Sequence, residues 1–357
     1  MSTQDPLIAL HEAAGAEFQA YGHTPIVSTF GSPEAEYASI HRGCGLMDLA
    51  HRGVVEAWGE DRLEFLNRLL TNELWNKQTG RGPAPHQAVH CFLLNNKGRI
   101  IAEMNVADTG EKTLMEMDRR LLGEVRAALE RYVFSERVEL RESEARVLAV
   151  LGPGAAELVA EAGVAGMTTF ADATTGEGVR LVGAGDAAVA AWKSLTQRYF
   201  GDPRSLEPKR RLRPVGWAAF NSCRIEAGRP LFGIDFDDST LPAETGLIES
   251  AVSFTKGCYL GQEIVARMHA RGQVSRLIVG IRMDEDALPV AGEKVFDERD
   301  NEVGGVTSST ISPVLSGASI CLAMVKKSAA TPGTKLRVPA EGAMRTGTVV
   351  PLPFYKR

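Results

Sequence analysis

The spacing of apolar residues changes near Leu277, and this change limits the folds open to the chain. Before that point, short apolar runs alternate with segments whose apolar residues recur every three or four positions, the period of a helix. After it, short apolar runs are separated by Gly, Pro and the turn pair Asp300-Asn301, a pattern typical of a small antiparallel barrel. The sequence therefore predicts an α+β body followed by a β-barrel.

The α+β body contains two units with similar beginnings. In the first, strands over 89–94 and 99–106 are joined by Asn95-Asn96-Lys97-Gly98, which has the composition of a hairpin turn. The order of strand, helix, hairpin, helix and strand resembles a split β-α-β layout. The other predicted elements of this unit are helices over 11–21, 61–74 and 121–132 and strands over 54–58, 113–117 and 138–140.

The second unit repeats the strand–turn–helix start, at 146–162 and again at 179–197. At about 150 residues per domain, a chain of 357 residues holds two or three domains. We therefore expect an N-terminal α+β unit over 1–145, a second α+β unit over 146–272 and the barrel over 273–357.

Charge and cysteine content exclude several classes of protein. The net charge of −5 does not suit a protein that coats nucleic acid or an anionic membrane. The five cysteines are widely spaced, which excludes a disulfide framework and a CxxC site and predicts a reducing compartment. The N-terminus lacks a secretory signal, and the uncharged stretch 306–325 is too polar to span a membrane, so we expect a cytoplasmic protein.

Two polar clusters have simple structural interpretations. His86 and His90 are four apart, but they border a predicted strand, where this spacing does not converge on a metal, so no metal site is predicted. The basic run from Lys209 to Arg213 is interpreted as a solvated connector, with RNA binding as the alternative.

The segment from Ser253 to Glu263 carries the most specific chemistry. Cys258 lies between two glycines and near Lys256, and a cation near a thiol favours the reactive thiolate. The other four cysteines lie in or beside apolar runs and are predicted to be structural.

The octapeptide KGCYLGQE, residues 256–263, resembles the signature of YgfZ-type folate-binding proteins, which are relatives of the glycine cleavage T-protein, an aminomethyltransferase. The similarity extends along most of the chain. It includes Glu36-Tyr37, Gly45-Leu46-Met47-Asp48-Leu49, Arg224-Ile225-Glu226-Ala227-Gly228, Leu231-Phe232-Gly233 and Leu241-Pro242-Ala243-Glu244.

The resemblance implies a T-protein-like ring of two α+β units and a C-terminal antiparallel β-barrel around a folate-sized channel. It implies tetrahydrofolate as cofactor and iron–sulfur client proteins as partners. It also implies Cys258 as the working thiol, with Lys256 lowering its pKa and Tyr259 shaping the loop. The folate-binding residues it implies are Arg224, Glu226, Glu103, Glu177, Gln262 and Glu263.

The chain departs from the T-protein pattern at positions that matter for transfer chemistry. Ala102 and Glu103 stand where the T-protein has two aspartates. The segment that supplies a pterin-binding Glu in the T-protein is one residue shorter here and ends in Arg180, and Phe232 replaces a tyrosine. These departures place the activity of a transferase in question.

Three hypotheses follow. The first is a YgfZ-like factor that supports iron–sulfur cluster assembly or repair and tRNA modification through Cys258. The second is a tetrahydrofolate-dependent aminomethyltransferase in which Glu103 takes the role of the missing acid. The third is an RNA-interacting module that uses the basic run from Lys209 to Arg213.

Overall fold

The structure, a computed structural model, describes residues 5–172, 174–200, 211–271 and 274–355. The helices are α1 (Pro6–Ala13), α2 (Pro33–Arg42), α3 (Arg62–Asn67), α4 (Leu122–Glu130), α5 (Ala155–Ala162), α6 (Gly185–Tyr199), α7 (Trp217–Glu226), α8 (Ile248–Ala251) and α9 (Gln262–Arg271). The strands of the α+β body are β1 (Glu17–Tyr21), β2 (Thr24–Thr29), β3 (Cys44–Asp48), β4 (Arg52–Trp58), β5 (Ala88–Leu94), β6 (Ile100–Asp108), β7 (Lys112–Asp118), β8 (Glu139–Ser143), β9 (Arg146–Leu151), β10 (Met167–Ala171), β11 (Gly178–Gly183) and β12 (Leu212–Pro214). Those of the last domain are β13 (Arg276–Met283), β14 (Lys294–Phe296), β15 (Glu302–Ser312), β16 (Ala318–Lys326), β17 (Lys335–Ala340) and β18 (Ala343–Val350).

The first sheet is antiparallel and has the strand order β5-β6-β7-β4-β8. Leucines of α3 and the segment that follows it pack on one of its faces, together with α4. The predicted hairpin is confirmed: Asn95 N donates to Arg99 O, and Gly98 adopts a φ of +72° in the turn. Side chains alternate along β6, so its polar residues lie on the face of the sheet opposite the helices.

The second sheet has the order β10-β11-β9-β3-β12 and takes strands from distant parts of the chain. Strand β3 pairs antiparallel with β9 and parallel with β12. Helices α5 and α6 cover one face, where Leu158, Trp192 and Leu195 join a buried cluster. The chain thus contributes one strand of residues 1–145 to the sheet formed mainly by residues 146–214.

The C-terminal domain is a closed antiparallel barrel with the strand order β13-β16-β15-β14-β17-β18. The predicted barrel is therefore confirmed. Its interior is filled by small and branched apolar side chains, including Ile281, Val295 and Leu336. A β-bulge interrupts β15 between Val306 and Ser308, so that successive side chains there leave the regular alternation.

The predicted helix over 11–21 is wrong. Helix α1 begins at Pro6 and ends at Ala13, and Gly15 follows with a φ of +78°. A glycine in the left-handed region ends a helix, so the chain turns and enters β1. The helix predicted over 61–74 is also shorter, because Thr71 exchanges hydrogen bonds with the backbone of Phe92 on β5.

The cysteines divide as the sequence predicts. Cys44, Cys91, Cys223 and Cys321 are buried, whereas Cys258 is exposed, and all five are free thiols. Within the described ranges, no helix is both long and apolar enough to cross a membrane.

Candidate functional site

A polar pocket of about 260 Å³ opens between the first sheet, the edge of the second sheet and the segment that follows α7. The first sheet contributes charged and amide side chains, the second contributes Asp172 and Arg180, and the loop after α7 contributes Arg229. The lining residues are Arg52, Ala88, His90, Glu103, Asn105, Ala171, Asp172, Thr174, Arg180, Arg229, Pro230, Leu231, Leu247 and Ser250.

The register of the β5–β6 hairpin brings the polar side chains to one face. His90 lies opposite Asn105, and Phe92 lies opposite Glu103, so His90 and Glu103 are diagonal neighbours on that face. Asn105 is in turn opposite Glu116 of β7. Alternation along three adjacent strands therefore gathers an imidazole, an amide and two carboxylates.

Glu103 is one of the two acids that line the pocket, and Asp172 is the other. His90 Nε2 lies 2.9 Å from Glu103 Oε1, and the Phe232 amide donates to Glu103 Oε2 at 3.0 Å. Burial raises the pKa of Glu103, but the His90 hydrogen bond and charge, the Arg52 charge and the Phe232 amide outweigh it, and the pKa is lowered. The carboxylate is therefore ionised at neutral pH and fixed in direction.

A buried charge network forms the floor of the pocket around Glu116. Arg52 and Arg180 both bind this carboxylate, and the Asn105 amide donates to it at 2.8 Å. Burial raises the pKa of Glu116, but the charges of Arg180 and Arg52 lower it to about 2. Arg180 Nε also donates to Asp172 at 2.8 Å, so the second sheet is joined to the first through this network.

Arg224 and Glu226, predicted from the resemblance as folate-binding residues, lie on α7 and bind other parts of the chain. Arg224 is fully buried and pairs with Asp235 at 2.7 Å. The Glu226 carboxylate accepts hydrogen bonds from Tyr37 and Ser312 and lies 2.9 Å from His41 Nε2.

Lys256 has contacts that the sequence did not indicate. Its Nζ donates to the carbonyl oxygens of Leu70 and Asn72, both at 2.7 Å, and lies 5.3 Å from the Tyr259 ring centroid. The lysine is buried, whereas Cys258 is exposed. The ammonium therefore connects residues 256–259, the KGCY loop, to the segment after α3.

The segment after Cys258 rests on the hairpin turn of the first sheet. A Cβ at Gly261, whose φ is +80°, would lie 2.9 Å from Asn95 O, and a Cβ at Gly98 would lie 2.8 Å from Ile264. Such close packing requires glycine at both places. Gln262 and Glu263 begin α9 from this position, and Gln262 N donates to Tyr259 O.

Of the nine predicted site residues, eight are not among the residues that line the pocket, and most of these lie at two other places. Arg224 and Glu226 lie at the contact between α7 and the barrel, Lys256 contacts the segment after α3, and Gln262 and Glu263 begin α9 beside the hairpin turn. Glu177 is exposed immediately before β11, where its carbonyl oxygen accepts a hydrogen bond from Gly152 N. Among the predicted site residues, the pocket lining contains Glu103.

The basic run lies only in part within the described residues, since Lys209 and Arg210 fall outside them. Arg213 belongs to β12, and its guanidinium lies 5.8 Å from the Phe200 ring centroid. The RNA hypothesis gains no support from this contact.

Sequence reasoning did not identify Arg52, Asp172 or His90 as parts of one site. Arg180 carried a signal, because it interrupts a segment where a pterin-binding acid is expected from the resemblance. The others are brought together only by strand pairing and by the contact between two sheets, which a local pattern does not reveal.

Fold and pocket together define a class: an α+β protein with a closed C-terminal barrel whose first sheet presents an ionised carboxylate in a polar pocket. Residues 7–177 match the GCVT N-terminal domain, and residues 276–356 match the glycine cleavage T-protein C-terminal barrel domain. The chain therefore carries both domains of the glycine cleavage T-proteins and has their fold.

Relatives over the full length are aminomethyltransferases. Those of Geobacillus kaustophilus and Bacillus subtilis are 28% and 27% identical to this chain, and each alignment covers 100% of both proteins. The solved structure of the glycine cleavage system aminomethyltransferase T from Bartonella henselae superposes with a TM-score of 0.83 at 25% identity, covering 98% of this chain and 97% of that one.

Proposed function

We propose that the chain is a tetrahydrofolate-dependent aminomethyltransferase that uses the Glu103 pocket. The observation that carries the proposal is the position of Glu103: an ionised, partly buried carboxylate held by two hydrogen bonds in the pocket of a T-protein fold. The sequence raised the concern that the family's aspartates are absent. The structure supplies an acid in the pocket, which favours transfer chemistry over its loss.

The donor set of the pocket fits part of a folate molecule. Proteins of this family use tetrahydrofolate. The amide-like edge of a pterin suits a carboxylate, and an anionic glutamyl tail suits an arginine such as Arg229 at the pocket wall. The volume of about 260 Å³ lies below the roughly 300–1,000 Å³ of pockets that enclose a drug-sized ligand, so the tail would extend outside.

Glu103 suits two tasks in this reaction. Its charge attracts and orients the cationic amine of an aminomethyl group, and its oxygens accept a proton. Tetrahydrofolate, when bound, supplies the nitrogen that takes up the one-carbon unit. Glutamate is one methylene longer than aspartate, and the Phe232 amide and His90 restrict the additional freedom of this side chain.

The test is Glu103→Gln, with formation of methylene-tetrahydrofolate from an aminomethyl-loaded lipoyl carrier protein as the readout. The amide keeps the size and loses the charge and the base, so we expect the rate to fall by about 10²–10⁴-fold. Glu302→Gln, an exposed acid on the barrel, is the matched control and should retain full activity. Unchanged turnover in Glu103→Gln, or no product from the wild type although folate binds, would refute the proposal.

The YgfZ-type function, support of iron–sulfur enzymes through Cys258, is the second candidate because this thiol alone among the five is exposed. A cluster site normally needs four ligands, so Cys258 would act transiently or with a thiol from another protein. The described contacts of Lys256 give it a structural part in this loop, and activation of the thiol by this lysine belongs to the same proposal.

Cys258→Ser, assayed by the activity of iron–sulfur enzymes in cells that depend on this chain, tests the second candidate. Loss of that activity with normal transfer in vitro would support it. Thr255→Ala, an exposed neighbour in the same loop, serves as the control. Normal iron–sulfur enzyme activity with Cys258→Ser would exclude a role for the thiol.

A further inference from the structure

A histidine that neither the sequence motifs nor the family domains single out contacts the acid of the pocket. His90 lies on β5, Nε2 is 2.9 Å from Glu103 Oε1, and Nδ1 is 3.3 Å from Ser250 Oγ. An ionised carboxylate only accepts hydrogen bonds, so Nε2 must carry the proton in this contact. His90 is therefore a hydrogen-bond donor to Glu103 whichever form the rest of the ring adopts.

The far side of the imidazole is also held. Ser250 Oγ donates to Leu247 O at 3.0 Å, and the Asn72 amide donates to the carbonyl oxygens of both His90 and Ser250. A hydroxyl has one proton, so while Ser250 donates to Leu247 it can only accept from Nδ1. In that arrangement Ser250 holds the far side of the imidazole while Nε2 faces Glu103.

We propose that His90 is the positioning residue of this site: its hydrogen bond to Oε1 aims the Glu103 carboxylate into the pocket. This inference rests on the proposed function, in which Glu103 is the working acid. The Phe232 amide holds one carboxylate oxygen and His90 holds the other, which fixes the plane of the group. Other charged groups lining the same pocket are Arg52, Asp172, Arg180 and Arg229.

The kinetic test compares His90→Ala with His90→Gln. Alanine releases Oε1 of Glu103, so kcat should fall on the order of 10²-fold, the effect of misplacing a reacting group by about 1 Å, with little change in the KM for folate. Glutamine can place an amide donor near the position of Nε2 and should restore much of kcat. If alanine unfolds the protein, as judged by circular dichroism, the glutamine variant and His90→Asn, whose shorter amide falls short of Oε1, carry the comparison.

A second readout does not depend on turnover. Carboxyl ¹³C NMR of glutamate-labelled protein follows the titration of Glu103, identified by its disappearance in Glu103→Gln. The His90 hydrogen bond and charge lower the pKa of Glu103, so the resonance should titrate at a higher pH in His90→Ala and return toward the wild-type pH in His90→Gln.

These outcomes separate the positioning role of His90 from the proposed function of the Glu103 pocket. An inactive Glu103→Gln with a fully active His90→Ala and an unchanged titration of Glu103 overturns the role of His90 and leaves the proposed function intact. An active Glu103→Gln overturns the proposed function. The NMR titration still shows in that case whether His90 controls the ionisation of Glu103.

Discussion

At the scale of single residues, the pocket is organised by buried charges that neutralise one another. Glu116 binds two guanidinium groups, and one of these, Arg180, continues to Asp172. A buried charge is tolerated only with such partners, because its transfer out of water is costly. The arginines are thereby held at the floor of the pocket. Glu103, which belongs to the β5–β6 hairpin, remains the carboxylate that faces a ligand.

Burial also separates the five thiols into two reactivity classes. It raises the pKa of Cys44, Cys91 and Cys321 to about 12 in each case, which leaves almost no thiolate near neutral pH. We expect one thiol per chain to react rapidly with a disulfide reagent in the native protein and five to react in denaturant. Cys258→Ser should abolish the rapid phase, and two fast thiols in the native wild type would contradict this assignment.

At the scale of elements, the KGCY segment and α9 are attached to the first sheet by close backbone contact and by one buried ammonium. Gly261 packs closely against the hairpin turn, and Lys256 donates hydrogen bonds to two carbonyl groups after α3. The loop therefore presents an exposed Cys258 from a rigid support. The anchoring role of Lys256 is visible only in these tertiary contacts, and activation of the Cys258 thiol by this lysine stays a prediction.

Lys256 makes the stability of the protein depend on pH. Burial lowers its pKa from 10.5 to about 8, although the nearby Cys91 and Glu73 side chains oppose the shift. Between pH 8 and 10.5 the unfolded lysine is protonated and the folded one is neutral, so the free energy of unfolding increases with pH by about 3 kcal/mol at most from this group. Both carbonyl contacts survive, because a neutral amine still has two protons to donate.

Urea unfolding of the wild type and of Lys256→Met at several pH values checks this effect. The buried cysteines and tyrosines titrate in both proteins, so their contributions cancel in the difference. The wild type should gain stability relative to Lys256→Met as the pH rises from 8 to 10.5. A difference that is flat or decreases with pH would show that the lysine is protonated throughout this range in the folded state.

At the scale of the whole molecule, the sequence predicted the elements better than their assembly. The hairpin, helix α5 and the barrel strands follow from turn residues and local periodicity, and Glu103 was identified through the resemblance. The pairing of β3 with β9 and the meeting of Arg52 with Arg180 depend on contacts across about a hundred residues. Local patterns carry little information on such contacts, so the charge network and His90's role emerged only from the structure.

The same long-range packing joins α7 to the barrel through a buried ion pair, and this contact yields a prediction for the whole molecule. Arg224 binds Asp235 and donates to Ser308 Oγ at 2.7 Å. The bulge in β15 lets Thr307 and Ser308 both donate to Asp235 Oδ1. Removing one partner leaves a buried charge uncompensated, at a cost of about 3–5 kcal/mol.

Arg224→Met should therefore lower the free energy of unfolding in urea by about 3–5 kcal/mol, whereas Arg198→Ala, which breaks an exposed pair with Glu161, should lower it by less than about 1 kcal/mol. Combining Arg224→Met with Asp235→Asn removes both charges and should recover part of the loss, since the amide oxygen still accepts from the barrel hydroxyls. If Arg224→Met costs no more than Arg198→Ala, the buried pair does not hold α7 against the barrel. If the double variant is less stable than Arg224→Met, the cost arises from lost packing of the arginine and not from the unpaired carboxylate.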